Sequence, residues 1–269
     1  MFVTRLISGI LLVLAAIFLF FTGGAPLVVV MGILSLIGMF ELYRVLKMEK
    51  HPVATASYVA SVLYYVLVYF ELEQWTVALG ILLLIISMIL CVVKFPQYSI
   101  EEAAFGVFGF LYVSIMLSCV YMTRQLDGGN WLVWMIIIGS WGSDTCAYVA
   151  GRLIGKHHFS KLSPKKTIEG CIGGVAGSGL IAFFYACFFP HTNMFIWDHR
   201  VVLVMIAMVC AVISQFGDLS ASAIKRKFDV KDYGKLIPGH GGVLDRFDSV
   251  IFVAPFVYYL LVLTSYIKL

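Results

Sequence analysis

The sequence is short of charge. Only 13% of its 269 residues are Asp, Glu, Lys or Arg, while 61% are hydrophobic and the mean hydropathy is +0.97. A water-soluble domain carries about 25% charged residues, so this chain cannot clothe a soluble globule of its size. Its high hydrophobic content excludes a disordered chain as well. Cysteine is sparse: there are six, and none forms a C-x-x-C pair. Most lie inside apolar runs, where a thiol packs as a small hydrophobe, so neither a disulfide scaffold nor a cysteine zinc site is expected. Proline is sparse too, and Pro26, Pro52, Pro96, Pro164, Pro190 and Pro238 fall at or between the ends of apolar runs, where a missing N–H costs least. Only Pro255 lies inside a run, which predicts a kink there. No internal repeat is evident, and this weakens any analogy to inverted-repeat transporters.

What the chain has is apolar length. Nine runs, at 6–21, 25–43, 54–70, 75–93, 104–123, 131–151, 170–190, 201–222 and 249–267, are each near the span a helix needs to cross the hydrocarbon of a bilayer. They are solidly apolar rather than alternating, which favours helices over a membrane barrel. The expectation is an all-α polytopic membrane protein of about nine spans, one membrane domain over 1–269. Within it, 1–140 reads as hydrophobic scaffold and 141–269 as a catalytic half with two basic loops. The first run, flanked by Arg5 and Thr22-Gly23-Gly24-Ala25, resembles a secretory signal, but its cleavage site is poor and it reads as a retained helix. Of the 19 Lys and Arg residues, all but Arg124, Arg200 and Lys268 fall on one side of this alternation. That side is cytoplasmic by the positive-inside rule, so the N-terminus is expected inside and the C-terminus outside, as in a bacterial plasma membrane.

Polar residues gather late in the chain. Glu41, Glu71, Glu73, Glu101 and Glu102 stand at predicted membrane edges and are expected to be solvated. No chemistry is assigned before residue 140. Asp144 lies inside the sixth run, Asp218 near the cytoplasmic end of the eighth, and Asp245 and Asp248 open the ninth. A carboxylate in hydrocarbon is costly unless paired, hydrated or bound to a cation. The bland reading is a neighbouring Lys or Arg for each acid. Geometry favours a shared site: Asp245 and Asp248 share a helix face. So do Gln215, Asp218, Ser222 and Lys225, while Asp144 and Tyr148 lead toward Arg152. Carboxylates without His or Cys suit a hard cation, with Mg²⁺ the default. His157, His158 and His240 qualify as zinc ligands only by type.

Two basic loops supply the anion side. One holds Arg152, Lys156, Ser163-Pro164-Lys165-Lys166-Thr167; the other holds Lys225-Arg226 and Pro238-Gly239-His240-Gly241-Gly242. Positive-inside bias and attraction to anionic lipid explain Lys47 and Lys50. They do not explain glycines and carboxylates interleaved with cations, since glycines let backbone N–H groups converge on phosphate. The combination points to phosphoryl or nucleotidyl transfer. Neither a P-loop motif nor a dinucleotide-binding glycine motif is present.

Residues 222–248 follow the pattern S-x-x-K-R-x4-K-D, a short spacer, then P-x-H-G-G-x-x-D-R-x-D. Every fixed position is met, through Ser222, Lys225, Arg226, Lys231, Asp232, Pro238, His240, Gly241, Gly242, Asp245, Arg246 and Asp248. This stretch resembles the signature of the phosphatidate cytidylyltransferases, also called CDP-diacylglycerol synthases. The stretches Asp144-Thr145, Gly151-Arg152, Gly155-Lys156, Ser163–Thr167 and Glu169-Gly170 also look like that family, whereas 1–140 resembles it only in hydrophobicity. The resemblance implies an integral membrane enzyme that joins CTP to phosphatidic acid, giving CDP-diacylglycerol and pyrophosphate, and that requires Mg²⁺. It further implies a two-cation site that includes K⁺, and a homodimer. No nucleic-acid partner is expected.

On this reading the lipid phosphate attacks the α-phosphorus of CTP. Its second pKa, by analogy with a phosphoserine at about 6, leaves it largely deprotonated, so no general base is required. Asp218, Asp245 and Asp248 are expected as metal ligands, with Asp144 a fourth ligand or an acceptor behind them. Lys165, Lys166, Lys225 and Arg226 are expected on phosphate oxygens, with Arg152, Lys156 and Arg246 as further substrate contacts. The turn Gly239, His240, Gly241, Gly242 and Ser222 would shape the nucleotide pocket. The rivals are CTP-dependent transfer to an isoprenoid ether-lipid phosphate, a CTP-dependent lipid kinase and, from another class, an ion-coupled transporter.

Overall fold

Each of the nine apolar runs falls on a helix over its described residues in the computed structural model. It describes residues 2–158, 160, 162–188, 195, 197–237, 239 and 241–264, with side chains from residue 9 onward. Lys161, Pro190 and Lys268 lie outside the described residues, as do Pro238 and His240 of the signature. The helices are α1 (Phe2–Thr22), α2 (Gly24–Val45), α3 (Pro52–Tyr69), α4 (Glu73–Val93), α5 (Ile100–Gln125), α6 (Gly129–Ile154), α7 (Ile168–Phe188), α8 (His199–Lys227) and α9 (Leu244–Thr264). From α2 to α9 these are eight helices long and apolar enough to cross a membrane, and α1 contributes the shorter apolar stretch Gly9–Thr22. No strand occurs among the described residues, only isolated bridges at His158–Thr167 and Ile237–Gly241. The fold is thus all-α and polytopic.

Local chemistry sets the helix ends. Gly23 and Gly24 adopt φ values of 59° and 52°, a left-handed region that glycine enters without penalty, and α1 stops there. His51 precedes Pro52 at the head of α3, and its Nδ1 accepts from the Val53 N–H at 3.3 Å. Ser99 opens α5 with a capping box, its Oγ accepting from Glu102 N–H while its own N–H donates to Glu102 Oε2. Asp198 precedes α8 and accepts from the Arg200 N–H at 2.8 Å, which holds its carboxyl below the usual carboxylate range. The ends move most at the loop between the last two helices: α8 runs on to Lys227 rather than stopping at 222, and α9 begins at Leu244 rather than at 249. Asp245 and Arg246 are polar, so hydropathy excludes them, yet they occupy its first turn. Pro255 lies inside α9.

The chain divides into two compact units that do not follow chain order: residues 1–121 with 228–246, and 122–227 with 247–269. In the first unit, hydroxyls bind helix to helix. Ser35 and Tyr65 share a hydrogen bond of 2.8 Å, Ser61 and Ser114 one of 2.7 Å, and Tyr64 and Ser118 one of 2.7 Å, while Tyr43 Oη donates to Gly106 O at 2.7 Å. Lipid offers no hydrophobic driving force between helices, so such bonds and close packing hold them together. In the second unit small residues do this work. A Cβ on Gly173 would collide with Ala150, and one on Gly177 would sit 2.5 Å from the Cys146 side chain, so α7 can approach α6 only as glycine. Buried Ser178 of α7 donates to Ile138 O at 3.0 Å and Ala207 O at 3.3 Å, tying α6, α7 and α8 together.

Candidate active site

The second unit gathers three of the four acids singled out in the sequence. Just before Asp144, α6 passes through a π-helical turn, Ile138–Gly142. Such a turn shifts the register of the side chains that follow it and often marks a functional site. Asp144 Oδ1 accepts from Ser214 Oγ of α8 at 3.4 Å, and Oδ2 from Ser249 Oγ of α9 at 3.1 Å. Asp218 of α8 pairs with Lys166, Nζ to Oδ2 at 2.6 Å. Asp248 of α9 is buried, and its Oδ1 accepts from the Ser249 N–H at 2.8 Å. Asp218 lies within electrostatic range of both Asp144 and Asp248, Lys166 within range of Asp144, and Lys225 within range of Asp248. Gly217 lets α8 and α9 meet here: a Cβ on it would lie 2.9 Å from Asp248 O and 3.0 Å from Phe252 Cβ.

Among the described residues, the cluster brings the carboxylates of Asp144, Asp218 and Asp248 within electrostatic range of the ammonium groups of Lys166 and Lys225. Its donors are all carboxylate and hydroxyl oxygens, which is the chemistry a hard divalent cation takes. Among the described residues, no group of three or more His, Cys, Asp and Glu side chains is close enough to hold a metal ion by itself.

The loop between α6 and α7 is fastened at its base. Glu169 Oε2 accepts from the N–H groups of Lys156 and His157 at 3.1 and 3.2 Å, and its Oε1 lies 2.5 Å from His157 Nδ1. His157, a zinc candidate only by type, is thus a partner of Glu169. Thr167 Oγ1 accepts from Gly170 N–H at 3.1 Å at the start of α7. Arg152 is exposed and donates to Tyr148 Oη at 3.3 Å, as their shared face suggested. Lys156, Lys165 and Arg226 are exposed, and Ser222 and Lys225 are half-buried. Gln215 reaches α7, donating from Nε2 to Cys171 O at 3.0 Å.

Asp245, Arg246 and the described glycines of the turn belong to the first unit. Asp245 Oδ2 accepts from Tyr233 N–H at 2.8 Å and from Gly242 N–H at 2.9 Å. This carboxylate, expected as a metal ligand, ties its own loop together. The Gly242 N–H, expected to face phosphate, faces Asp245 instead. Gly239 and Gly241 take φ values of 77° and 90°, which a tight turn reserves for glycine. Arg246 is half-buried, and its N–H donates to Val243 O at 2.9 Å. His240 lies outside the described residues.

Glu41 is a correction. Expected to be solvated at a membrane edge, it is only 3% exposed, and its carboxylate accepts from Val243 N–H at 3.1 Å and Leu244 N–H at 2.9 Å. A signal for it existed: it is the one acid of the second run, with Arg44 on the same helix face three residues on. Ser214 and Ser249 were passed over as well, because a hydroxyl in an apolar run gives no sign of which neighbour it will meet.

A polytopic helical membrane protein with a carboxylate–lysine cluster is the class that fold and site define. The chain belongs to the cytidylyltransferase family, whose family model matches residues 3–264. Among its relatives is the phosphatidate cytidylyltransferase of Bacillus subtilis (strain 168), 30% identical over 272 residues, covering 97% of this chain and 98% of that protein. Those of Staphylococcus haemolyticus and Staphylococcus aureus (strain COL) are 42% and 40% identical over 167 residues. In each of these two pairs the match covers 62% of this chain and 62% of the relative.

Proposed function

We propose that this chain transfers the CMP group of CTP to phosphatidic acid, yielding CDP-diacylglycerol and pyrophosphate. The observation that supports it most is the grouping of Asp144, Asp218 and Asp248 with Lys166 and Lys225, on three helices and one loop of a single unit. A site for joining two polyanions needs cations against phosphate and carboxylates to hold a metal, and this cluster has both. Its relatives' names supply the substrates.

An oxygen of the lipid phosphate attacks the α-phosphorus of CTP. A new P–O bond forms, the bond from the α-phosphorus to the bridging oxygen breaks, and pyrophosphate leaves with that electron pair. The nucleophile is already largely deprotonated near neutral pH, so no residue has to take a proton. The work left to the protein is to hold the reactants in line and oppose their charge. Lys166 and Lys225 stand in the cluster to meet phosphate oxygens. Exposed Lys165, Arg226, Arg152 and Lys156 draw the anions toward it. Breaking the Lys166–Asp218 pair on substrate arrival would hand the ammonium to a phosphate and leave the carboxylate to a cation. Mg²⁺ would be held by Asp218 and Asp248, with Asp144 behind them, and would supply charge neutralisation at the departing pyrophosphate. Asp245 organises the glycine turn rather than joining that set. The strong Lys and Arg asymmetry of the loops supports a site facing the cytoplasm of a bacterial plasma membrane.

The test is conversion of labelled CTP by the detergent-solubilised full chain. Phosphatidate-dependent formation of labelled CDP-diacylglycerol with release of pyrophosphate is expected. Acceptance of an isoprenoid ether-lipid phosphate in place of phosphatidate would reassign the lipid substrate. Ion flux in liposomes without nucleotide turnover would overturn the enzyme reading in favour of transport.

A further inference from the structure

Lys166 reaches Asp218 from a loop rather than from a helix, so its place depends on how that loop is held. All the bonds that hold it lie within the second unit. The Lys166 N–H donates to Ser163 O at 3.1 Å, which turns the chain just before the lysine. Just after it, the buried Thr167 hydroxyl stands among three glycines. A Cβ on Gly155 would lie 2.7 Å from Thr167 Oγ1, one on Gly170 3.0 Å and one on Gly151 3.1 Å. One residue further, the Ile168 N–H donates to His157 O at 2.9 Å, and His158 forms an antiparallel bridge with Thr167. Glu169 closes the arrangement: one oxygen takes the N–H groups of Lys156 and His157, and the other meets the His157 ring.

The Glu169 and His157 side chains are 22% and 73% exposed. Bonds between groups so open to water add little to the stability of a whole fold. What they order is local: they pin the strand-like pair 156–158 to the head of α7, directly beside Lys166. A lysine ammonium sits on a flexible four-carbon stem, so it finds one place only if its backbone is fixed and a partner awaits it. Glu169 and Thr167 supply the first condition, and Asp218, 2.6 Å away, supplies the second. Lys165, one residue earlier on the same loop, is exposed. The fastening therefore distinguishes one lysine of the pair from the other.

We propose that Glu169, seconded by Thr167, is a positioning residue for the reaction: it fixes the head of α7 so that the Lys166 ammonium stands at Asp218, ready for a phosphate oxygen. The catalytic part rests on the nucleotide transfer proposed above; the placement of Lys166 does not. The test uses the full chain in detergent, with turnover of CTP and phosphatidate and with acetylation of Lys166 by acetic anhydride, read by mass spectrometry against Lys165. Glu169→Ala should lower kcat about thirtyfold, and Glu169→Gln, which keeps one acceptor oxygen, about threefold. Wild-type turnover in Glu169→Ala overturns the proposal. Adding Glu169→Ala to Lys166→Ala should cost less than about twofold more, because a residue that acts through Lys166 then has nothing left to place. A residue that only supported the fold would lower turnover by the same factor in both backgrounds, and that result overturns the proposal. Pairing with Asp218 occupies the Lys166 ammonium and slows its labelling. Glu169→Ala should speed that labelling about threefold or more relative to Lys165, and an unchanged ratio overturns the proposal. Should neither Glu169 variant accumulate, Thr167→Val keeps the side-chain shape and removes Oγ1. It should speed Lys166 labelling in the same direction, and an unchanged ratio there overturns the proposal too. Failure of the wild type to convert CTP with phosphatidate would sink the transfer reading alone. The labelling of Lys166 would then still decide whether Glu169 places it.

Discussion

Acidic side chains occur in both units of this chain, and they are answered in two ways, by backbone N–H groups or by movable side chains. In the first, Glu41 and Asp245 accept from backbone N–H groups, so their charge is absorbed by the loop they organise. In the second, Asp248 and Glu169 also accept from backbone N–H groups, whereas Asp144 and Asp218 meet hydroxyls and an ammonium group. Serine and lysine side chains can swing away, whereas backbone N–H groups cannot. A carboxylate bound by backbone is committed to architecture; one bound by movable side chains can exchange partners when a substrate or cation arrives. By that standard Asp218 and Asp144 are the acids freest to exchange partners.

Substitutions can break or sharpen this contrast. Asp248→Asn removes a charge from the second unit's cluster and should lower turnover about a thousandfold while the protein still elutes as a folded species. Wild-type turnover would remove Asp248 from the site. Lys166→Ala should cost about a hundredfold in pyrophosphate release, and adding Asp218→Asn should cost less than the product of the single effects, because the two residues form one pair. Multiplicative losses would mean that they act independently. Gly217→Val forces a side chain between α8 and α9 beside Asp248. It should destabilise by about 1–3 kcal/mol, seen as a lowered melting temperature, with reduced turnover. In the first unit, Ser61→Ala loses one hydrogen bond between helices. It should cost about 0.6 kcal/mol of stability and leave turnover within about twofold. A large loss of activity there would blur the contrast.

The fold was legible because bilayer-spanning helices announce themselves by apolar length. Their ends were less so: hydropathy reports the hydrocarbon, and α9 runs out past it to take in Asp245 and Arg246. The cluster was partly legible, since Asp144, Asp218 and Asp248 are acids in apolar surroundings that must be answered somehow. The answer given to each was not legible. Nothing in the spacing tells Asp248 from Asp245, three residues away on the same helix, yet Asp245 accepts from Tyr233 and Gly242 while Asp248 accepts from its neighbour Ser249 and lies within electrostatic range of Asp218 and Lys225. Glu41 was misjudged because an acid at the edge of a run looks solvated, and the N–H groups that bury it belong to a distant segment. Long-range pairing of this sort leaves no periodic trace.

The most direct test of the account is the Mg²⁺ dependence of pyrophosphate release from CTP and phosphatidate, comparing the wild-type chain with Asp218→Asn. The account predicts no release in excess chelator and a Mg²⁺ midpoint raised about tenfold or more in the variant. Undiminished release in chelator, or an identical midpoint in the two proteins, would contradict it.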